Sequence, residues 1–235
     1  MNIRISEIKR ESLQSLKGNW GLAVLLTFIM SILFYVLLFM ISLLNLVLTS
    51  GLYVWFNQDE ITNVMVVLYL IIDISLIPLL IGVYWFYLSL VRENKPQIST
   101  VLSVYHNGKT PIKLIVAYTL QKIFVILWSL LLIIPGIIKT IAYSQTFYIL
   151  RDHPEYTILE AISESRRRMN GFKWNYFLLQ LSFIGWGILC LFSLGIGFLW
   201  LVPYVSTANA TFYNRVIYNQ DADTSDNAII IEKLG

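Results

Sequence analysis

The positive charges of this chain are distributed in a way that indicates a multipass membrane protein of fixed orientation. Apolar stretches of helix length recur along the sequence, and almost every Lys and Arg lies in alternate gaps between them. The intervening gaps contain no Lys or Arg, and their only charged residues are Asp59 and Glu60. Cytoplasmic loops of membrane proteins carry an excess of Lys and Arg. The pattern therefore predicts that the cation-rich gaps and both termini are cytoplasmic.

Composition excludes a soluble globular domain. The chain has 235 residues, of which 57% are hydrophobic and only 13% are charged, whereas soluble domains contain about 25% charged residues. Several apolar stretches exceed the roughly 20 residues that cross a bilayer as a helix. The net charge of +3 is small and dispersed, which argues against nucleic-acid binding. The single cysteine, Cys190, cannot form an internal disulfide or a cysteine-based zinc site.

We predict an all-α integral membrane protein with about six transmembrane helices in three hairpins, each preceded by a short cytoplasmic amphipathic helix at the membrane interface. Residues 1–218 form one polytopic membrane domain, in which 1–19 is the first amphipathic helix, and residues 219–235 form a flexible cytoplasmic tail. The first apolar stretch is too long for the core of a cleaved signal peptide, so it is predicted to be a retained span. The six predicted spans cover residues 20–48, 63–91, 112–134, 137–150, 172–194 and 196–214.

The fourth span is the weakest of the six. Its roughly 14 residues would cover only about 21 Å at 1.5 Å per residue, less than the ~30 Å hydrocarbon core of a bilayer. Pro135 and Gly136 are predicted to form the tight turn before it, since these residue types favour turns. The third and fourth spans therefore either cross the bilayer or form a re-entrant hairpin, and both arrangements keep the following loop cytoplasmic.

The cytoplasmic segments before the three hairpins resemble one another, which indicates a threefold internal repeat. Their apolar residues follow the i, i+3, i+4, i+7 spacing of short amphipathic helices. Gly18, Gly108 and Gly171 follow these segments and suit a helix C-terminus. Thr146-Phe147-Tyr148 and Thr211-Phe212-Tyr213 repeat near the ends of two spans. Such a repeat either only builds a bundle or encloses a site between its units, as in many transporters.

Local signals predict where the short helices begin. Proline suits the first turn of a helix, and a Ser, Thr or Asp followed three residues later by Glu has the spacing of a capping box. The predicted signals are Pro96, Pro154 and the pairs Asp152/Glu155 and Thr157/Glu160.

A set of residues, densest in the second half of the chain, carries a resemblance to a known family. The set comprises Pro135-Gly136, Tyr143-Ser144, Tyr148-Ile149-Leu150, Asp152, Glu160-Ala161-Ile162, Ser165, Met169, Gly171, Pro203-Tyr204, Ala208 and Phe212-Tyr213. With these residues the chain resembles domain-of-unknown-function family 975, which comprises uncharacterised bacterial multipass membrane proteins. The N-terminal helix leading into Lys17-Gly18-Asn19-Trp20 is also similar to the start of that family. The resemblance implies a bacterial plasma membrane and implies no activity.

Two ionisable residues, Asp73 and Lys122, lie near the middle of predicted spans. A charged side chain at the bilayer centre costs about 2.5–3.5 kcal/mol on insertion scales and marks a functional site by default. Because the two residues have similar predicted depths, two interpretations are open: a static salt bridge that fixes helix packing, or a coupled pair on a proton or substrate path. Pro78, one turn beyond Asp73, would free a backbone carbonyl nearby.

Uncharged polar side chains in the spans form a second candidate set. Gln121, Gln145 and Asn209 either line a hydrated cavity between the repeats or hydrogen-bond across packed helices. Lys139 is predicted to lie near the outer end of the fourth span and to extend its ammonium group to the membrane surface.

The third amphipathic segment ends in a basic cluster of Arg166, Arg167, Arg168 and Lys173, beside Trp174. Each cation near an anionic membrane surface contributes about 1 kcal/mol of attraction. We expect these residues to contact anionic lipid headgroups on the cytoplasmic side. The alternative is that they dock a cytoplasmic partner.

Catalytic motifs are missing from the sequence, which contains no Ser/His/Asp constellation, HExxH motif or Walker-type glycine loop. We therefore expect no catalytic residues, no metal and no cofactor. The leading hypothesis is a non-catalytic scaffold or accessory protein in envelope homeostasis or peptide resistance, with a membrane-protein partner or as a homo-oligomer. The alternative is a small transporter or flippase-like protein with Asp73 and Lys122 at its core. An intramembrane enzyme is the third hypothesis.

Overall fold

Every regular element in the described part of the chain is a helix, which confirms the predicted all-α class. A computed structural model describes residues 4–51, 58–93 and 97–218, so the predicted tail, 219–235, and Pro96 lie outside the described residues. A 3₁₀ turn at Ser103–Tyr105 and a π-helical segment at Tyr213–Tyr218 extend two of the helices. The helices are α1 (Ile5–Leu16), α2 (Trp20–Gly51), α3 (Gln58–Glu93), α4 (Ser99–Leu102), α5 (Lys109–Leu131), α6 (Ile133–Tyr143), α7 (Thr146–Asp152), α8 (Ile158–Arg168), α9 (Lys173–Phe192) and α10 (Phe198–Phe212).

Four helices are long and apolar enough to cross a membrane, as expected for a multipass membrane protein. They cover Trp20–Leu48, Thr62–Arg92, Lys109–Leu131 and Lys173–Phe192. The second helices of the last two predicted hairpins, α6 and α10, are shorter than the roughly 20 residues that span hydrocarbon. Ser144 and Gln145 separate α6 from α7, and α10 has only 15 residues.

The turn between α5 and α6 was predicted at Pro135-Gly136, but it lies at Leu132. This residue alone is extended, with φ −161° and ψ 146°, and Pro135 lies in the first turn of α6. Proline is tolerated there because the first N–H groups of a helix have no intrahelical acceptor. Gly136 has a different role, since a Cβ at this position would lie 2.1 Å from Ser129 Oγ. Its lack of a side chain allows α5 and α6 to approach closely.

Two of the three short helices pack against the second helix of the preceding hairpin. α4 packs against α3, and α8 packs against α6 and α7. α1 has no preceding hairpin and packs instead against α10, near the other end of the chain. Ser12 Oγ lies 3.1 Å from Thr211 Oγ1, and Arg215 donates to Glu7 and Glu11 at 2.7 and 3.0 Å. The first and last helices therefore join the two ends of the helical domain.

α1 and α8 bury residues at matching positions. α1 completely buries Ile8, Ser12 and Leu16. α8 and the residue after it completely bury Ala161, Ser165 and Met169. Both series end two residues before a glycine in the left-handed region, Gly18 at φ 88° and Gly171 at φ 85°. Residues with a Cβ are strained at such angles, so these two glycines fix how the chain leaves each short helix.

The second short segment departs from the predicted pattern. α4 has four residues before it tightens into the 3₁₀ turn, and Gly108 has an ordinary helical φ of −57°. Ser103 Oγ donates to the carbonyl oxygen of Thr100 at 2.7 Å. Such side-chain bonds compete with the backbone bonds that would continue a helix.

One of the two predicted capping boxes is present. Thr157 Oγ1 accepts from the backbone N–H of Glu160 at 3.3 Å, and the Glu160 carboxylate accepts from the N–H of Thr157 at 2.7 Å. The prediction for Asp152 and Glu155 was wrong, because α7 ends at Asp152 and its carboxylate binds side chains of other helices. Pro154 lies in the turn before α8 and outside its first helical turn.

Candidate functional site

A cavity of about 970 Å³ lies between α2, α3 and α5, with Phe147 and two residues of α10 completing its lining. This volume is near the upper end of the range for small-molecule sites, about 300–1,000 Å³. The lining is mainly apolar, and its polar members other than tyrosine are Thr27, Ser31, Asp73, Thr119, Lys122 and Ser206. The helices that form the walls are the long apolar ones, so the cavity lies within the part of the protein suited to a membrane.

Asp73 and Lys122 both line this cavity, on the α3 and α5 walls respectively. Their side chains are exposed, and they form no salt bridge with each other, contrary to the predicted pair. The Lys122 Nζ atom lies 5.2 Å from the centroid of the Tyr118 ring, a distance at which a cation and an aromatic face attract. Two opposite charges therefore face one cavity without neutralising each other directly.

An aromatic cluster forms one end of the cavity. The Phe147 ring stacks on Tyr84 and Tyr118, with centroid distances of 6.3 and 6.2 Å. Tyr84 also meets the buried Tyr148 edge to face at 5.8 Å. Aromatic pairs in these geometries contribute about 0.5–1.5 kcal/mol beyond their burial, so this end of the cavity is a rigid surface.

A half-buried polar cluster joins α3, α7 and the end of α10. The Arg92 guanidinium donates to both carboxylate oxygens of Asp152, at 2.7 and 2.8 Å, and its Nε donates to Asn214 Oδ1 at 2.9 Å. The Tyr213 hydroxyl donates to Asp152 at 2.7 Å. A bidentate arginine–carboxylate pair is among the strongest polar contacts in proteins. Arg151 adds hydrogen bonds to the Trp85 carbonyl oxygen and to Ser89 of α3.

The surroundings of Asp152 favour its ionised form. Burial by itself raises the pKa of this carboxyl, but the hydrogen bonds from Arg92 and Tyr213 and the positive charges of Arg92 and Arg151 outweigh burial. The net result is a pKa below the ordinary value of 3.8. Asp152 is therefore a permanent anion at neutral pH, held among arginines, and has no spare proton for acid–base chemistry.

Sequence reasoning missed this cluster, although one signal was available. Phe-Tyr occurs at Phe147-Tyr148 and Phe212-Tyr213, and also at Phe86-Tyr87 in α3, where tryptophan stands in place of the preceding threonine. An arginine follows each of these three pairs within five residues of the tyrosine, at Arg92, Arg151 and Arg215, whereas none follows the fourth Phe-Tyr pair, Phe34-Tyr35. In the structure all three arginines bind residues of another helix.

Gln121, Gln145 and Asn209 lie outside the cavity lining. Gln121 donates to the Tyr143 carbonyl oxygen at 3.1 Å, which joins α5 to α6. Gln145 is fully buried and donates to Ser144 Oγ at 2.7 Å. Asn209 accepts from Gln180 at 2.5 Å, which joins α9 to α10. Gln121 and Asn209 therefore form hydrogen bonds between helices, whereas the side-chain bond of Gln145 stays within the junction between α6 and α7.

The basic cluster at the end of α8 divides into paired and unpaired cations. Arg167 and Arg168 both donate to Glu164, at distances of 2.5–2.8 Å. Hydrogen bonds from Arg167, opposed by burial and assisted by Arg168, lower the pKa of Glu164 to about 2. Arg168 was expected to contact lipid headgroups. It is only 5% exposed, so its side chain faces the protein interior. Arg166 and Trp174 are exposed, and Lys173 is half-buried.

No cluster of three His, Cys, Asp or Glu side chains with metal-binding geometry occurs within the described ranges. His153 stacks on Tyr156 with a centroid distance of 4.6 Å and lies 3.1 Å from Glu155. These contacts explain its position at the α7–α8 turn.

Comparison with known proteins agrees with the resemblance noted in the sequence. Neither a curated protein nor a solved structure matches the chain. A family model described as a protein of unknown function, DUF975, matches residues 1–142 and 130–220. Because these matches cover nearly the whole chain, this protein belongs to the DUF975 family.

Proposed function

We propose that this protein is a non-catalytic scaffold or accessory protein of the bacterial plasma membrane, acting in envelope homeostasis or peptide resistance. The observation that carries the proposal is the polar cluster around Arg92 and Asp152, which fastens three helices to one another. Arg215 similarly binds Glu7 and Glu11 of α1. The charged groups at the helix ends are thus engaged in maintaining one arrangement of the bundle. The bacterial membrane is the location implied by the family resemblance.

For the topology, we infer that α2, α3, α9 and α10 cross the membrane, the last together with its π-helical continuation Tyr213–Tyr218. We also infer that α5 and α6 form a re-entrant hairpin and that both termini are cytoplasmic. Two observations support the re-entrant hairpin. Lys139 of α6 lines the same cleft as Arg166 of α8, a helix in a predicted cytoplasmic segment. The tip of the hairpin, residues 130–134, is wholly apolar, and its side chains are 64–78% exposed. Such a tip suits hydrocarbon better than the outer aqueous face.

Cysteine labelling in intact cells tests this topology. In a Cys190→Ser background, Thr62→Cys at the predicted outer end of α3 should react with a membrane-impermeant maleimide. Ile133→Cys should not react, because the tip of the re-entrant hairpin lies within hydrocarbon. Labelling of Ile133→Cys from outside at the rate of Thr62→Cys would show that the α5–α6 hairpin crosses the membrane and would exclude the re-entrant arrangement.

A transporter or flippase-like protein is the second candidate function, favoured by the cavity. Asp73 and Lys122 place charge at the wall of a mainly apolar cavity without a salt bridge between them. A charge at membrane depth is costly unless a partner or ligand compensates it. The cavity is therefore suited to an amphiphile that carries a charged or zwitterionic group.

Mass spectrometry of the protein extracted gently from its native membrane separates the two functions. A scaffold should co-purify with a protein at a fixed ratio, both when this chain and when the partner is tagged, and Asp73→Asn should leave that ratio unchanged. A transporter should instead retain a small molecule or lipid in stoichiometric yield and lose it in Asp73→Asn and Lys122→Gln. Asp59→Asn, the same change in the predicted outer loop, is the matched control. The second pattern without a protein partner would overturn the scaffold proposal.

A further inference from the structure

A second cleft, of about 460 Å³, lies between α5, α6 and α8. It is separate from the large cavity and shares no lining residue with it. Its walls combine two kinds of surface. α5 contributes the aromatic rings of Phe124 and Trp128, whereas α6 and α8 contribute the cations Lys139 and Arg166. An aromatic wall beside a cationic wall suits a ligand with both an apolar and an anionic part.

The Lys139 ammonium is held in a defined place. Its Nζ atom lies 4.3 Å from the centroid of the Trp128 ring and 6.0 Å from that of Tyr143. These distances allow cation–π attraction, which positions the charge without neutralising it. Arg166 and Lys173 are near enough to repel the Lys139 ammonium electrostatically. Three cations therefore share this part of the surface.

The neighbouring carboxylates do not cancel these charges. Within the described ranges, neither Lys139 nor Arg166 forms a salt bridge. Glu160 lines the cleft, but its carboxylate accepts from the Thr157 N–H in the capping box. Glu164 binds Arg167 and Arg168 on another face of α8. The cations therefore outnumber the one carboxylate, that of Glu160, in the cleft lining, and the remaining positive charge suits an anion.

The surface beside the cleft identifies the kind of anion. Leu131 and Leu132, three and four residues after Trp128, are 68% and 64% exposed, so an apolar strip continues from Trp128 toward the tip of the hairpin. Tryptophan favours the boundary between headgroups and hydrocarbon. A molecule bound here would have its acyl chains against α5 and its charged group between α6 and α8. Lys and Arg both bind phosphate groups, Arg often through two parallel hydrogen bonds.

We propose that this cleft is a specific site for an anionic phospholipid, whose phosphate binds Lys139 and Arg166 and whose acyl chains lie along α5. The inference rests on the proposed membrane location of the α5–α6 hairpin. This site differs from the general headgroup contact expected from the sequence. Lys139 binds the phosphate directly, and the buried Arg168 does not contact the lipid. Binding at one defined place also predicts a fixed stoichiometry of one lipid per chain.

Native mass spectrometry of the purified full chain in detergent, titrated with phosphatidylglycerol, tests the site. The wild-type protein should retain one phosphatidylglycerol in preference to phosphatidylcholine. Lys139→Gln and Arg166→Gln should each weaken this binding about fivefold, and the double variant about twenty-five-fold, as expected when a cation near a phosphate is removed. Lys139→Arg should retain binding, and an unchanged melting temperature in each variant shows that the fold is intact.

Lys109→Gln is the matched control, because Lys109 is an exposed cation whose loss changes the net charge equally. Its binding should equal that of the wild type. Equal weakening by Lys109→Gln, or wild-type binding in the double variant, would overturn the specific site. Displacement of the lipid by millimolar inorganic phosphate would show that the cleft recognises free phosphate and would overturn the lipid assignment. These experiments measure lipid binding alone. Their result therefore does not depend on whether a scaffold partner is found.

Discussion

Replacing Asp152 with alanine should destabilise the protein by about 2 kcal/mol, less than the roughly 3–5 kcal/mol for breaking a fully buried ion pair, because this pair is half-buried. Asp152 is the common acceptor for Arg92 and Tyr213. Without it, the Arg92 guanidinium loses its counter-ion while its side chain is only 24% exposed. The measurement is thermal unfolding of the detergent-solubilised protein, with membrane abundance as a second readout.

Two comparisons make this prediction specific. Asp73→Ala removes the same group from an exposed position and should shift stability by no more than about 0.5 kcal/mol. Because the folded-state pKa of Asp152 is lowered, its stabilisation is present above the ordinary value of 3.8. It is lost as the pH falls through the lower folded-state value. Asp152→Ala should remove this part of the acid dependence. Equal destabilisation by Asp73→Ala would contradict the structural role of the cluster.

Replacing Gly82 with alanine should destabilise the protein by about 2 kcal/mol, even though alanine favours helices more than glycine does. Gly82 lies on α3 beneath α4, and a Cβ there would lie 2.2 Å from the carbonyl oxygen of Val101 and 3.0 Å from its carbonyl carbon. Backbone atoms cannot rotate away as a side chain can. The substitution must therefore displace α4, and overpacking of this kind costs about 1–3 kcal/mol.

Gly185 provides the control for this substitution. It lies in α9, and a Cβ there would meet no atom within 4 Å. Gly185→Ala should therefore leave the melting temperature unchanged or raise it slightly, by the helix propensity that alanine adds. Thermal unfolding of both variants in the same detergent gives the comparison. A Gly82→Ala protein as stable as Gly185→Ala would show that α4 does not pack closely on α3.

The features predicted correctly from the sequence depend either on hydropathy averaged over a whole segment or on residues a few positions apart. The membrane class follows from hydropathy over whole segments, and the capping box at Thr157 and Glu160 depends on residues three apart. The α5–α6 turn was misplaced because proline and glycine are also compatible with the first turn of a helix. In this case Gly136 serves the contact with Ser129, which no local pattern encodes.

The polar sites were harder to predict because they join residues far apart in the chain. Arg92 and Asp152 are 60 residues apart, and a single sequence shows only that each is charged. Arg166 and Arg168 are near neighbours in α8, yet one is exposed and the other is 5% exposed. A helix turns by about 100° per residue, so only the packing of α8 determines which arginine faces outward. The contact of Lys139 with the cleft that Arg166 also lines depends in the same way on how α6 and α8 pack.

The contact between α1 and α10 has a consequence for how the protein is made. α1 leaves the ribosome before the long helices are made, and its docking surface on α10 follows after them. The two hydroxyl groups that meet there, on Ser12 and Thr211, are 199 residues apart in the chain. Until α10 has been made, Ile8 and Leu16 lack the main helix that α1 packs against, and an amphipathic helix beside a membrane binds its surface. We therefore expect α1 to move from lipid to α10 once α10 has been made, and a chain truncated before α10 to leave α1 without this contact.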